Sequence, residues 1–148
     1  MFRYLWVSLL VVTALVSPVR AEETSMTVLV TGANRGIGLE LARQLTEQGH
    51  KVIGTARKPA EAKELAALGA RVMQLDVIDP ESVSALAATL GDLPIDLLIN
   101  NAGTGGQTPG SFQDTDFDRV KLTIDVNSLG PMRVTQALLP NVLASESK

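Results

Sequence analysis

Short runs of consecutive apolar residues alternate with helix-like patterns along most of this chain. Val28, Leu29 and Val30 form the first run, and similar runs follow at residues 51–56, 71–75 and 95–99. Runs of this kind are typical of strands that are buried on both faces of a sheet. Between and after them the apolar residues recur at helical spacing, which predicts helices over residues 37–48, 59–68, 80–90 and 116–143.

Strands that alternate with helices predict a parallel sheet, because each helix carries the chain back to the edge where the previous strand began. The expected strand order is 3-2-1-4. This is an α/β architecture, a Rossmann-type doubly wound fold, of which residues 22–148 would form the first half. Ligands of such folds bind beyond the carboxyl ends of the strands.

The connection between the first strand and the first helix is rich in glycine. Gly32, Gly36 and Gly38 suit a tight turn, close approach of the backbone to a pyrophosphate, and close packing of the helix that follows. The unpaired N–H groups at the start of that helix favour an anion. Because strand, turn and helix occur in the required order, the segment predicts a dinucleotide phosphate site.

Composition excludes several other functions. The 148 residues are 45% apolar and carry a formal charge of −3, so broad nucleic-acid binding is not expected. The chain has no cysteine and a single histidine, His50, and we therefore expect no metal centre.

Residues 1–21 have the pattern of a signal peptide. Arg3 precedes an apolar stretch from Leu5 to Val16, and Val19-Arg20-Ala21 resembles a cleavage site. We favour export, periplasmic or secreted, with a mature chain from Glu22. Retention of the segment as an uncleaved anchor is one alternative. The other is a cytoplasmic protein that starts at Met26, in which case residues 1–25 are an upstream extension.

Two arginines favour NADP over NAD as the nucleotide. Where the second strand ends, NAD sites usually have an acidic residue for the ribose hydroxyls, and this chain has Arg57. Arg35 lies inside the glycine turn. Two guanidinium groups at this place suit a 2′-phosphate, which each can bind bidentately. The alternative is that both are ordinary solvated arginines.

Further polar residues follow the later strands. Asp76 ends the third strand, where its carboxylate could accept a hydrogen bond from an adenine amino group or simply cap a turn. After the fourth strand, Asn100 is expected to brace neighbouring strands, while the backbone at Ala102 and Gly103 approaches a ribose. Asn127 lies inside the last predicted helix, four residues before Pro131, which removes the helical partner of its carbonyl and predicts a kink.

The glycine motif Thr31-Gly32-Ala33-Asn34-Arg35-Gly36-Ile37-Gly38, together with Asp76, Asn100-Asn101-Ala102-Gly103 and Asn127, resembles the short-chain dehydrogenase/reductase family. The match runs from about Met26 to Leu143, and within the family it is most similar to the C-signal and sniffer-like carbonyl reductases. The resemblance implies an NADP-dependent oxidoreductase acting on a small carbonyl or alcohol substrate. It places NADP(H) at Thr31, Gly32, Asn34, Arg35, Gly36, Ile37, Gly38, Arg57, Asp76, Val77, Asn100, Ala102 and Gly103, and makes Asn127 the asparagine of the catalytic tetrad.

The rest of that tetrad is not found. The family has a serine on the next strand and a Tyr-x-x-x-Lys pair on the next helix, whereas the single tyrosine here is Tyr4. We therefore expect the chain to be inactive alone, as a truncated part of an oxidoreductase. The alternative is a non-catalytic NADP-binding half-domain that pairs with another chain, such as a second copy of itself, through the edge of its fourth strand.

Overall fold

The computed structural model describes residues 25–105 and 111–146. The predicted signal peptide and part of the loop after the fourth strand lie outside these residues. The described elements are β1 (Thr27–Val30), α1 (Gly36–Glu47), β2 (Lys51–Ala56), α2 (Lys63–Ala67), β3 (Arg71–Gln74), α3 (Pro80–Leu90), β4 (Leu97–Ile99), α4 (Phe117–Ile124) and α5 (Gly130–Leu143). Short 3₁₀ turns occur at Pro59–Glu61 and Phe112–Asp114, and a π-helical turn at Asp125–Leu129 joins α4 to α5.

The four strands form one parallel sheet in the order β3-β2-β1-β4, which confirms the predicted architecture. β1 is central, with Val28 level with Val52 of β2 on one side and with Leu97 of β4 on the other. The carboxyl ends of all four strands therefore meet at one edge of the sheet.

Two apolar cores explain why the strand sequences do not alternate. Leu29 faces a cluster formed with α3 and α5 that includes Leu86 and Leu138. Its neighbours Val28 and Val30 face the opposite cluster, which includes Ala42 of α1 and Leu65 of α2. All three β1 side chains are fully buried. A strand covered by helices on both faces needs apolar residues at every position.

The predicted helix over residues 116–143 is interrupted by the π-turn. Pro131 has no N–H with which to bond the carbonyl of Asn127, and the wider turn accommodates the missing bond. The kink expected at this place is therefore a π-turn rather than a simple bend. Asp116 begins the segment as predicted, with its carboxylate accepting from the N–H groups of Asp118 and Arg119.

Other boundaries differ in detail. The 59–68 segment begins as a 3₁₀ turn before the short α2. β4 begins at Leu97 rather than at Ile95, because the Ile95 N–H donates to the Asn141 carbonyl of α5 at 3.0 Å instead of to a strand. Ile37, which the helical pattern places beside Leu41 and Leu45 on the inward face of α1, is 75% exposed at the start of that helix.

Across residues 25–105 and 111–146, no helix combines the length and apolarity needed to cross a bilayer.

Candidate functional site

A cleft of about 710 Å³ lies at the carboxyl ends of the strands. It is lined by the turns that follow all four strands and by the π-turn between α4 and α5. Most of the residues singled out from the sequence line it: Gly32, Asn34, Arg35, Ile37, Gly38, Arg57, Asp76, Val77, Asn100, Ala102, Gly103 and Asn127. Thr31 and Gly36 do not.

The glycine turn brings backbone against backbone beneath the cleft. A Cβ on Gly38 would lie 2.4 Å from both the Gly32 carbonyl oxygen and the Asn101 Nδ2 atom, so no larger residue fits without a shift. Gly32 adopts a positive φ of 64°, and a Cβ there would lie 2.8 Å from the Ala102 Cα. No side chain caps the start of α1 at Arg35, which leaves the first N–H groups of the helix available to an anion in the cleft.

Thr31 supports this turn from below. It is 1% exposed, and its hydroxyl oxygen accepts hydrogen bonds from the N–H groups of Asn101 and Ala102, both at 2.9 Å. The hydroxyl is thus occupied inside the protein and does not face the cleft. Its position in the glycine motif did not reveal this bracing role.

Asn101, rather than Asn100, joins the neighbouring strands. The Asn101 amide group donates to the Thr31 carbonyl at 2.9 Å and to the Gly32 carbonyl at 3.2 Å. Asn100 is exposed, and its amide group donates to the Thr135 hydroxyl of α5 at 3.1 Å. The sequence expectation for Asn100 was therefore wrong as to which asparagine braces the strands.

Arg35 and Arg57 are both exposed and line the same cleft. Neither forms an ion pair with another of the residues that the structure describes, whereas the adjacent Lys58 pairs with Glu61 at 3.0 Å. Their charge is therefore available to an anionic ligand.

Asp76 takes the turn-capping role, which is one of the two alternatives that the sequence left open. One carboxylate oxygen accepts from the Ile78 N–H at 3.3 Å, as in a turn cap, and the side chain also lines the cleft. The Asp76 N–H donates to the Ser82 hydroxyl at 2.7 Å, which fixes the start of this turn against α3.

Asn127 is held against the loop that follows β4. Its side chain accepts from the Thr104 N–H and donates to the Thr104 carbonyl, both at 2.9 Å. On the other side of Thr104, Arg119 of α4 donates to the Gly105 carbonyl at 3.0 Å and to the Thr104 hydroxyl at 3.3 Å. From the sequence, the glycine-rich loop that starts at Thr104 was expected to border the pocket, but neither Thr104 nor Arg119 was predicted as a site residue. In the sequence, Arg119 is a basic residue in the first turn of a helix that follows a glycine-rich loop. This pattern is too common to indicate a site residue.

Known proteins are similar to this chain in both sequence and fold. The sequence profile of the short chain dehydrogenase family matches residues 26–148. A short-chain dehydrogenase/reductase from Pestalotiopsis microspora is 36% identical over 121 residues, which are 81% of this chain and 44% of that protein. The chain spans about half the length of the curated relatives it matches.

Two solved structures of similar fold contain a nicotinamide cofactor. One is a putative short-chain dehydrogenase/reductase from Burkholderia multivorans with bound NADP, at 31% identity and a TM-score of 0.71, covering 79% of this chain and 54% of the other. The second is a 3-oxoacyl-[acyl-carrier protein] reductase from Brucella melitensis in complex with NAD, at 34% identity and a TM-score of 0.70, covering 82% and 51%. The chain thus belongs to the short-chain dehydrogenase/reductase family.

Proposed function

We propose that the cleft binds NADP(H) and that the chain forms the nucleotide-binding half of an oxidoreductase acting on a small carbonyl or alcohol substrate. The backbone fits a dinucleotide, because Gly32 and Gly38 leave no side chain between the pyrophosphate and the start of α1. One related structure contains NADP and another contains NAD. The preference of this chain for one of the two cofactors is therefore argued from its own residues.

The observation that carries the choice of NADP is the pair of arginines on the cleft. Arg35 follows β1 and Arg57 follows β2, which places both near the expected adenosine ribose, and neither is neutralised by a neighbouring acid among the described residues. A 2′-phosphate would supply the missing negative charge and accept bidentate hydrogen bonds. NAD would leave both guanidinium groups without an anion. Asp76 would accept from the adenine amino group.

When bound, the dinucleotide supplies or accepts the hydride, and the protein positions it. Asn127 is proposed as the tetrad asparagine. In this chain its side chain bonds to the backbone of Thr104, in the loop that follows β4. No tyrosine follows Asn127 within the 148 residues. We therefore propose that this polypeptide binds the nucleotide without turning over substrate, and that proton transfer belongs to residues it does not contain.

Export remains part of the proposal, supported by the apolar pattern of residues 1–21. Expression of the coding sequence from its own start, followed by N-terminal sequencing of the exported protein, should give Glu22 as the first residue. A cytoplasmic protein beginning at Met26 would instead support the upstream-extension alternative.

The nucleotide proposal is tested by fluorescence titration of the purified chain with NADPH and NADH. We expect saturable binding that prefers NADPH by at least about tenfold, and we expect Arg57→Asp to abolish the preference, because one bidentate phosphate contact is lost and a like charge is added. Arg71→Asp is the matched control, since Arg71 is exposed at the opposite end of β3 and does not line the cleft. Equal affinity for the two nucleotides in the unmodified chain would contradict the assignment.

A further inference from the structure

An ion pair spans the π-turn that carries Asn127. Asp125 is the first residue of that turn and Arg133 lies in the first turn of α5, and their Oδ1 and Nη2 atoms are 2.7 Å apart. The two side chains are 34% and 30% exposed, so the pair is partly shielded from water. Neither residue lines the cleft itself.

Arg133 also reaches the loop that follows β3. Its Nη1 atom donates to the Val77 carbonyl at 3.4 Å. The start of α5 packs closely on the same residue, since a Cβ on Gly130 would lie 2.9 Å from the Val77 Cγ2 atom. Val77 lines the cleft beside Asp76, so Arg133 contacts the support of one wall directly.

The second wall is reached through Asp125. The turn that Asp125 begins presents Asn127 to Thr104, with which it forms two hydrogen bonds at 2.9 Å. The pair of Asp125 with Arg133 links the first residue of the π-turn to the first turn of α5, so it ties together the two ends of the segment that carries Asn127. The Arg133 guanidinium group therefore contacts both the loop after β3, at Val77, and the start of the turn that carries Asn127, at Asp125.

We propose that Asp125 and Arg133 are positioning residues for the dinucleotide: Arg133 fixes the adenine-side loop at Val77, and its pair with Asp125 fixes the turn that carries Asn127. The inference rests on the proposed nucleotide binding. A partly exposed ion pair usually contributes little to stability by itself, so its effect is expected in ligand affinity rather than in melting temperature.

The test compares two ligands with three variants of the full chain. NADPH contacts both walls, whereas adenosine 2′,5′-bisphosphate reaches only the adenine side. Asp125→Asn breaks the pair, leaves the Val77 contact, and is expected to weaken NADPH binding about fivefold with no change for the bisphosphate. Arg133→Met removes both contacts and is expected to weaken both ligands about fivefold. Arg43→Met is the control, because it removes an exposed ion pair on α1 away from the cleft.

A measurement without ligand accompanies the titrations. Hydrogen exchange of the Thr104 amide, which bonds to Asn127, should be faster in Asp125→Asn and unchanged in Arg43→Met. A merely stabilising pair would affect exchange across the whole domain and would not separate the two ligands. If Arg133→Met does not fold, the Asp125→Asn results decide.

The outcomes separate the two proposals. Unchanged NADPH affinity and unchanged Thr104 exchange in Asp125→Asn would overturn the positioning role while leaving nucleotide binding intact. If the unmodified chain binds neither ligand, the proposed function fails, and the positioning role fails with it.

Discussion

Short polar side chains that are buried beneath the glycine turn hold the cleft in shape. Asn101, in the turn after β4, donates one hydrogen bond to the Thr31 hydroxyl and another to the Thr31 carbonyl, and the Ala102 N–H donates to the same hydroxyl. The two loops that line the centre of the cleft are therefore held together. The Thr31 hydroxyl is nearly inaccessible to water. Its loss would leave the Ala102 N–H without its partner, whereas the Asn101 N–H would keep its second bond, to the Ile99 carbonyl at 3.0 Å.

Replacing Thr31 with valine should therefore destabilise the chain more than the loss of one hydroxyl group would suggest. We expect Thr31→Val to lower the free energy of unfolding by about 1 to 3 kcal/mol, because the Ala102 N–H is left as a buried unsatisfied donor, which costs about that much. Thr55→Val is the matched control. Thr55 is equally buried, but its hydroxyl accepts a single, longer bond of 3.4 Å from the Gly32 N–H.

Urea denaturation of both variants checks this prediction. The Thr55→Val variant should lose no more than about 1 kcal/mol. Equal losses in the two variants would show that the two amide bonds to Thr31 are not what supports the turn.

The residues that line the cleft could be predicted where sequence order alone determines their place. Arg57 and Asp76 follow predicted strands, and parallel topology brings strand ends to one edge. The bracing role of Asn101 could not be predicted in this way, since it depends on the register between β1 and β4, about 70 residues apart in the chain. The role of Arg119 could not be predicted either, because its bonds to Thr104 and Gly105 join residues 14 and 15 positions apart that no sequence pattern pairs.

At the scale of elements, the sequence predicted the strands and helices well because each carries its own signal. The run Val28–Val30 is apolar at every position, and Asp79 with Pro80 marks the start of α3, where the Asp79 carboxylate accepts from the Glu81 N–H. The π-turn was less predictable. Pro131 shows that the helix must lose a hydrogen bond, but a simple bend and a π-turn both satisfy that requirement, so the sequence does not distinguish them.

Helix α1 carries a charge network on its solvent face that makes a pH prediction possible. The hydrogen bond from Arg43, with a second from Gln44, lowers the pKa of Glu40 to about 2 from an ordinary 4.5. The lowered pKa means that the stabilisation from Glu40 is complete above pH 4.5 and is lost as the pH falls from 4.5 towards about 2.

Carbon NMR of the Glu40 carboxyl group tests this directly. In the unmodified chain the group should remain ionised at a pH of about 4, whereas in Arg43→Met its titration midpoint should return towards the ordinary glutamate value. A Lys121→Met variant, which removes the separate pair with Asp118 on α4, should leave the midpoint unchanged. A midpoint insensitive to Arg43 would contradict the assigned cause.

On the scale of the whole molecule, the described residues form a central parallel sheet with one open functional edge. The strand order and the two cores follow from the hydrophobic pattern and from the handedness of the crossovers, which is why the architecture was predictable. The substrate was not predictable. Near Asn127, the described lining residues Gly103, Thr104 and Gly105 offer backbone groups and one hydroxyl group, which any small carbonyl or alcohol could contact.

The 148-residue chain should bind the nucleotide without reducing a carbonyl substrate. We expect purified protein incubated with NADPH and simple ketones or aldehydes to show no NADPH oxidation above the rate of an Asn127→Ala variant, because no tyrosine follows Asn127 to donate the proton. Absorbance of NADPH follows the reaction. Carbonyl reduction that exceeds the variant's rate would show that another group supplies the proton.

We propose that two arginines of the cleft bind the 2′-phosphate of NADP(H), and a crystal structure of the chain with NADP⁺ tests this proposal most directly. If it is right, the pyrophosphate lies over the turn from Gly32 to Gly38, and the 2′-phosphate lies within hydrogen-bonding distance of Arg35 and Arg57. A dinucleotide whose 2′-phosphate faces solvent, with both guanidinium groups turned away, would contradict it.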